Sequence, residues 1–151
     1  MSHKSQENNM RRLTDLLSRD LSYIWGERES GPNGDKKVFL NTGKVFLREL
    51  AKDLGLRDVS VSSNAGGIAV SGDCTLMGLW QTNGLYIQLS QFNFNFGGKD
   101  ILLYRTIRHS KDYYGGRNLY LTRGDLEEMT YPDLLFVLAA LRENDAHGRA
   151  A

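Results

Sequence analysis

The side chains best equipped for chemistry lie close together. The stretch "RTIRHSKDYYGGRNLY", residues 105–120, holds His109, Lys111 and Asp112 between Arg108 and the pair Gly115-Gly116. An imidazole beside an ammonium and a carboxylate is the equipment of a general base or a phosphate clamp. His109 stands alone, however, because His3 and His147 fall near the two ends of the chain. A single histidine without a second ligand at metal spacing gives no metal site, and a solvated side chain at a strand end is the plainer account. Cys74 is the one cysteine. It sits in an alternating segment, where a free cysteine ordinarily serves as a small buried hydrophobe, and as a nucleophile it needs His109 beside it in space. Ser71 in "VSGD" lacks the flanking glycines of a hydrolase elbow. Neither "NAGGIAVSG" nor "FGGKD" has the spacing of a phosphate loop. The pairs Gly66-Gly67, Gly97-Gly98 and Gly115-Gly116 each flank an expected strand and read as tight turns before ligand cradles. The expectation is a non-enzymatic protein with no cofactor and no metal.

Charge singles out the same stretch for binding. Between residues 104 and 123, Arg105, Arg108, Lys111, Arg117 and Arg123 stand against Asp112 alone, a local charge of +4 in a chain whose formal net charge is +1. So small a total excludes a global field that gathers nucleic acid or acidic membranes, and leaves a local patch as the means. Downstream, Asp125, Glu127, Glu128, Asp133, Glu143 and Asp145 against Arg142 give −5 and are available to pair with the basic segment. Surface pairs contribute only about 0–1 kcal/mol each, which does not account for a dense cluster. Tyr104, Tyr113, Tyr114 and Tyr120 add flat amphipathic surfaces suited to protein contact or to base stacking. Tyrosine with arginine is the composition of interface hot spots. The candidate binding residues are therefore Tyr104, Arg105, Arg108, Lys111, Tyr113, Tyr114, Arg117 and Asn118. Strand alternation sets Tyr104, Thr106 and Arg108 opposite Leu103, Arg105 and Ile107. Arg105 thus falls among apolar neighbours, either at the sheet margin with its head in water or buried against a carboxylate.

These residues imply an inhibitor or adaptor that recognises another protein, or a protein–nucleic acid complex, through a strand and loop at 104–118. A nucleotide or nucleic acid bound by the same loop is the alternative, and a phosphate- or acyl-group enzyme using His109 is the third.

The positioning elements follow from periodicity. A length of 151 residues with 40% hydrophobic and 25% charged side chains fits one domain. We place it at residues 8–143, between disordered tails at 1–7 and 144–151. Met10, Leu13, Leu17, Leu21 and Ile24 draw a helical stripe from about residue 8 to 25, and "GERESGPNGDKK" breaks the pattern. A second helix starts at an Asn41 or Thr42 cap, buries Phe46, Leu47, Leu50, Ala51 and Leu54, and stops at Gly55. From Val59 to about residue 121 the period is two, which predicts strands. Asn83-Gly84 suits a type I′ hairpin turn. Gly72 and Gly78 suggest a bulge, a bend or two shorter strands, and the apolar set shifts phase near Ser90 or Gln91. Thr130, Pro132 and Asp133 open a last helix that faces Leu134, Leu135, Leu138 and Leu141 inward. The fold class is α+β: an antiparallel meander of four or five strands, with two N-terminal helices and one C-terminal helix mainly on one face. No apolar run reaches membrane-spanning length and the start "MSHKSQENNMRR" has no signal core. With one cysteine, a cytoplasmic protein without a membrane partner is expected.

Overall fold

The computed structural model describes residues 3–18, 35–64, 73–90, 101–109, 112 and 115–143. Helix α1, His3–Ser18, begins earlier than its expected start near residue 8. Nothing in "KSQENNM" interrupts a helix, so the amphipathic stripe propagates toward the terminus. It buries Asn9, Leu13, Leu16 and Leu17. The expected continuation through Leu21 and Ile24, the glycine pairs 66-67 and 97-98, the bulge near residue 91 and the tail 144–151 lie outside the described residues.

Helix α2, Asp35–Asp53, starts before Asn41 and Thr42, which are therefore interior residues and not caps. The reason is Gly43. It is buried at the contact with the first long inner strand, where a Cβ would lie 2.8 Å from the Cys74 sulfur. "NTG" is thus a close-approach site within a helix whose apolar stripe already runs from Phe39. Gly55, at φ +70°, ends α2 as expected. The Leu56 amide donates to the Ala51 carbonyl at 3.0 Å and the Gly55 amide to the Lys52 carbonyl at 3.1 Å, the two bonds of a Schellman stop.

Five strands follow: β1 Arg57–Asn64, β2 Asp73–Leu79, β3 Gly84–Ser90, β4 Leu102–Ile107 and β5 Leu119–Leu121. They form one antiparallel sheet in the order β1-β2-β3-β4-β5, the meander expected from short connections. Pairing with β3 runs unbroken through Gly78, while the β1–β2 register shifts opposite it. The irregularity lies in β1 between Arg57 and Ser60, where Asp58 has φ +53°. The β2–β3 hairpin turns two residues earlier than expected, at Gln81-Thr82. The Trp80 amide donates to the Asn83 carbonyl at 2.7 Å, and Leu79 pairs with Gly84. Neither Gln81 nor Thr82 has positive φ, so the turn is not type I′. Asn83-Gly84 serves tertiary packing instead. The Asn83 amide, 3% exposed, donates to the Leu141 carbonyl at 2.9 Å, and a Cβ on Gly84 would meet Leu79 Cδ2 at 2.7 Å.

After β5 come two short helices, α3 Arg123–Glu128 and α4 Tyr131–Ala139, and then a 3-10 turn at Ala140–Glu143. Thr130 caps α4 with Asp133 in a capping box, with Pro132 in the first turn, as expected. Thr122 and Asp125 repeat the device for α3. The helices cover the sheet face that carries Cys74, Leu76, Ile87, Leu89, Leu102 and Tyr104, all buried. Asn9 ties the helical layer together: its amide donates to the Phe46 carbonyl at 3.1 Å and to the Tyr131 hydroxyl at 2.8 Å, which in turn donates to Asp53 at 2.7 Å. Arg123 reaches back to the Leu17 carbonyl at 2.6 Å, and the Trp80 indole donates to the Leu54 carbonyl at 2.8 Å. Among the described residues, no helix is long and apolar enough to cross a membrane.

Candidate functional site

Antiparallel register decides which side chains share the face that the described helices leave uncovered. Ser60, Met77, Tyr86 and Arg105 stand in one row across β1 to β4. Ser62, Thr75, Gln88, Leu103 and Tyr120 form the next row, across all five strands. Most are half-buried by their neighbours, and Tyr120 is 44% exposed. The surface is therefore a mixed platform of aromatic, aliphatic and hydrogen-bonding groups.

Its centre is an arginine on a tyrosine. The Arg105 guanidinium carbon lies 4.2 Å from the Tyr86 ring centroid, a cation–π stack between directly paired strand residues. The Tyr86 hydroxyl donates to Gln88 Oε1 at 2.8 Å, which fixes the ring under the guanidinium. Burial raises the Tyr86 phenol above its ordinary value, with Arg105 pulling the other way and Asp73 adding to the rise. Arg105 Nη1 donates to Asn118 Oδ1 at 3.5 Å, while Nε is buried without a partner among the described residues. Arg105 thus meets neither expectation: it sits within the sheet, over an aromatic ring, and not against a carboxylate. A guanidinium held flat on a ring suits planar acceptors such as carboxylates, amides or phosphates.

The segment after β4 is organised by Asp112, which is 2% exposed. Its carboxylate accepts from the Arg108 amide at 3.0 Å, Arg108 Nε at 3.0 Å, Arg108 Nη2 at 3.2 Å and the Gly115 amide at 2.9 Å. The Gly116 amide closes back onto the Thr106 carbonyl at 2.7 Å, with Gly115 at φ +34°. Asp112 therefore acts as an internal cap for the turn, and Arg108 is one of its ligands.

The eight sequence-derived candidates separate on this geometry. Tyr104 points under the helices, 8% exposed, with its hydroxyl raised by burial and then by Asp125, so its ring belongs to the core. Arg105 and Asn118 meet on the open face, and Arg117 beside them is exposed. Arg108 is bound into the turn. Lys111, Tyr113 and Tyr114 lie outside the described residues. Tyr86, Gln88 and Leu103 were not among the candidates, although the alternation of "GLYIQLS" carries the signal, since Tyr86 and Gln88 must oppose Leu85, Ile87 and Leu89.

Two other expectations can be placed. Asp125 and Asp133 accept the backbone amides of their own caps, Thr122 at 2.9 Å and Thr130 at 3.0 Å, and Glu127 lies 4.0 Å from Arg123 within α3. Asp125 and Asp133 thus serve their own helices, while Glu127 pairs with Arg123, the last member of the basic segment. Cys74 is fully buried against Gly43, with its sulfur 3.5 Å from the Leu40 carbonyl. Burial, and then the Asp73 charge, pushes its thiol up to about 12. No cluster of three or more potential metal ligands occurs among the described residues. No family model, curated protein or solved structure matches the chain.

Proposed function

We propose that this chain is a small non-enzymatic interaction protein of the inhibitor or adaptor type. It recognises another protein, or a protein–nucleic acid complex, through the open sheet face and the adjoining turn. The observation that carries the reading is the Arg105–Tyr86 stack at the centre of a sheet face with no helix over it among the described residues. Arginine and tyrosine supply large contact area at low entropic cost, and the surrounding Met77, Leu103 and Tyr120 offer apolar surface to exclude water. The withdrawn Cys74 thiol supports a non-catalytic role, and so does an Asp112 carboxylate engaged in holding the turn. The cytoplasm, where a lone buried thiol stays reduced, is the matching compartment.

The test is a pull-down from the native host with the wild-type chain and with Arg105→Glu, Arg117→Glu and Tyr120→Ala variants of unchanged melting temperature. Loss of a specific partner from the variants is expected. An identical partner list would reject the sheet face as the recognition surface.

A second reading, single-stranded nucleic acid on the same face, draws on the same side chains, because Tyr86 and Tyr120 are stacking surfaces beside Arg105 and Arg117. Affinity for a labelled oligonucleotide that falls steeply with salt and with Tyr120→Ala would favour it. Salt-independent or absent binding would remove it.

A further inference from the structure

An open sheet has two outer strands, and each presents a row of backbone donors and acceptors that water or another extended chain must satisfy. In this meander, among the described residues, the outer strands are β1 and β5. β5 is the guarded one. It has three residues, Leu119–Leu121, and the chain turns from it directly into the Thr122 cap of α3. β1 is eight residues long, and every position in it but Val61 is exposed. Pairing with β2 satisfies one side of β1, and no strand lies along the other among the described residues.

The residues of β1 decide what fits that side. Edge strands are ordinarily protected by lysine, proline or a bulge. In "RDVSVSSN" the register shift, the positive φ of Asp58 and both charged residues fall at the start, and residues 59–64 carry neither charge nor proline. From Ser60 to Asn64 the register against β2 is regular, so this length presents an ordinary strand edge. Val59 is 41% exposed, a β-branched side chain of the kind that packs against a neighbouring strand.

An antiparallel pair related by a two-fold axis sets one residue opposite itself and its neighbours opposite each other. With the axis at Val61, Val61 meets Val61, Ser60 meets Ser62 and Val59 meets Ser63, while Arg57 and Asp58 stay outside the paired stretch. The two Val61 side chains adjoin on the side where each already packs against the core. The serine hydroxyls adjoin on the open face, where Ser62 shares a hydrogen bond with Thr75 at 2.8 Å. No like charges are opposed, so the strand is complementary to itself.

We propose that β1 pairs with β1 of a second copy of this chain about a two-fold axis at Val61, joining two five-stranded sheets into one of ten strands. The axis stands perpendicular to the sheet, so both helical layers lie on one side and both open faces on the other. The pairing is independent of what the open face binds. It sets two Arg105–Tyr86 stacks on one continuous surface, seven strand spacings or about 34 Å apart across the strands.

The test is sedimentation equilibrium of the full chain over the micromolar range, with amide hydrogen exchange measured at the same concentrations. Expected is a dimer mass at the upper end, with protection of β1 amides that rises with the dimer. Ser60→Lys/Ser62→Lys sets like charges opposite each other twice, and should weaken the dimer about tenfold or more. Ser60→Lys/Ser62→Glu sets lysine opposite glutamate across the axis, and should restore it. A monomer at every concentration would overturn the proposal, as would a dimer whose β1 amides stay unprotected. So would a dimer undiminished in the correctly folded double-lysine variant, or equal dissociation of the two charge variants. Protection of β1 that appears only when a host protein is added to a monomeric chain would assign the edge to another partner, and would overturn it too.

Discussion

Replacing Asp112 with alanine tests whether one buried carboxylate holds the turn beside the open sheet face. The four contacts it accepts from Arg108 and Gly115 divide into two kinds. The amides of Arg108 and Gly115 have no side-chain freedom with which to follow solvent, and a hydrogen bond to a charged group is worth about 1.5–3 kcal/mol. The Arg108 side chain is 42% exposed and can turn to water, so its ion pair is worth only about 0–1 kcal/mol. The turn is partly open to water, so the lower end applies and the loss totals about 3 kcal/mol. For a domain of this size each kcal/mol moves the melting temperature by about 2–4 °C, which gives a fall of about 6–12 °C. Asp112→Asn keeps an acceptor oxygen and loses the charge, so about half of that fall is expected. Thermal denaturation measures the total, and amide hydrogen exchange at Arg108, Gly115 and Gly116 shows whether the turn itself has opened. If the alanine variant melts within about 2 °C of wild type with unchanged exchange at these amides, the carboxylate does not hold the turn.

Three further outcomes follow from the packing. Gly43→Ala gains about 1 kcal/mol of helix propensity but drives a methyl into the Cys74 sulfur at 2.8 Å, so a net loss of about 1 kcal/mol is expected, reversing to a gain in a Cys74→Ala background. Urea denaturation of the four chains checks the reversal, and additive effects would refute the contact. Burial, with Asp53 acting in the same direction, raises the Tyr131 hydroxyl above its ordinary value of 10.0. The stability tied to its neutral form is complete below about pH 10 and is lost as pH rises beyond it, so Tyr131→Phe should lose stability less steeply in alkali. The same change should cost about 1–3 kcal/mol at neutral pH by leaving the buried Asn9 amide short of an acceptor. Cys74 should resist iodoacetamide in the native chain at about pH 8.5, where a free thiol is half ionised, and react only at the rate of unfolding. Fast native-state alkylation would mean that the thiol is not enclosed.

The sequence displayed the fold wherever one local rule acted alone. Period-two alternation from residue 59 specified the meander, Gly55 the left-handed stop, and Thr130 with Asp133 the capping box. It misled where a residue with strong local habits was used for long-range contact. "NTG" looks like a helix start, yet Gly43 is small because Cys74 lies against it from β2. "NG" looks like a turn, yet Asn83 is bonded to Leu141, far along the chain. The site shows the same division. Alternation correctly opposed Tyr104 to Arg105, but which parity faced the helical layer depended on α2 and the 3-10 turn packing on the sheet, with Leu102, Tyr104 and Thr106 buried on that side. The inward apolar run Leu85, Ile87, Leu89 carried that information, because register couples it to Thr106, Tyr104 and Leu102. Asp112 was visible only as a neighbour of His109, since a buried carboxylate and a solvated one have the same letter.

Each strand of the meander finds its partner in the adjoining stretch of chain, so the sheet can assemble in the order in which it is made. The clasp of α1 cannot: Asn9 meets Tyr131 across 122 positions, and Leu17 meets Arg123 across 106. Closing so long a loop has to await the arrival of α3 and α4. Helix α1 can rest on α2 before then, through the bond from Asn9 to the Phe46 carbonyl, and its ties to Tyr131 and Arg123 are the contacts that form last.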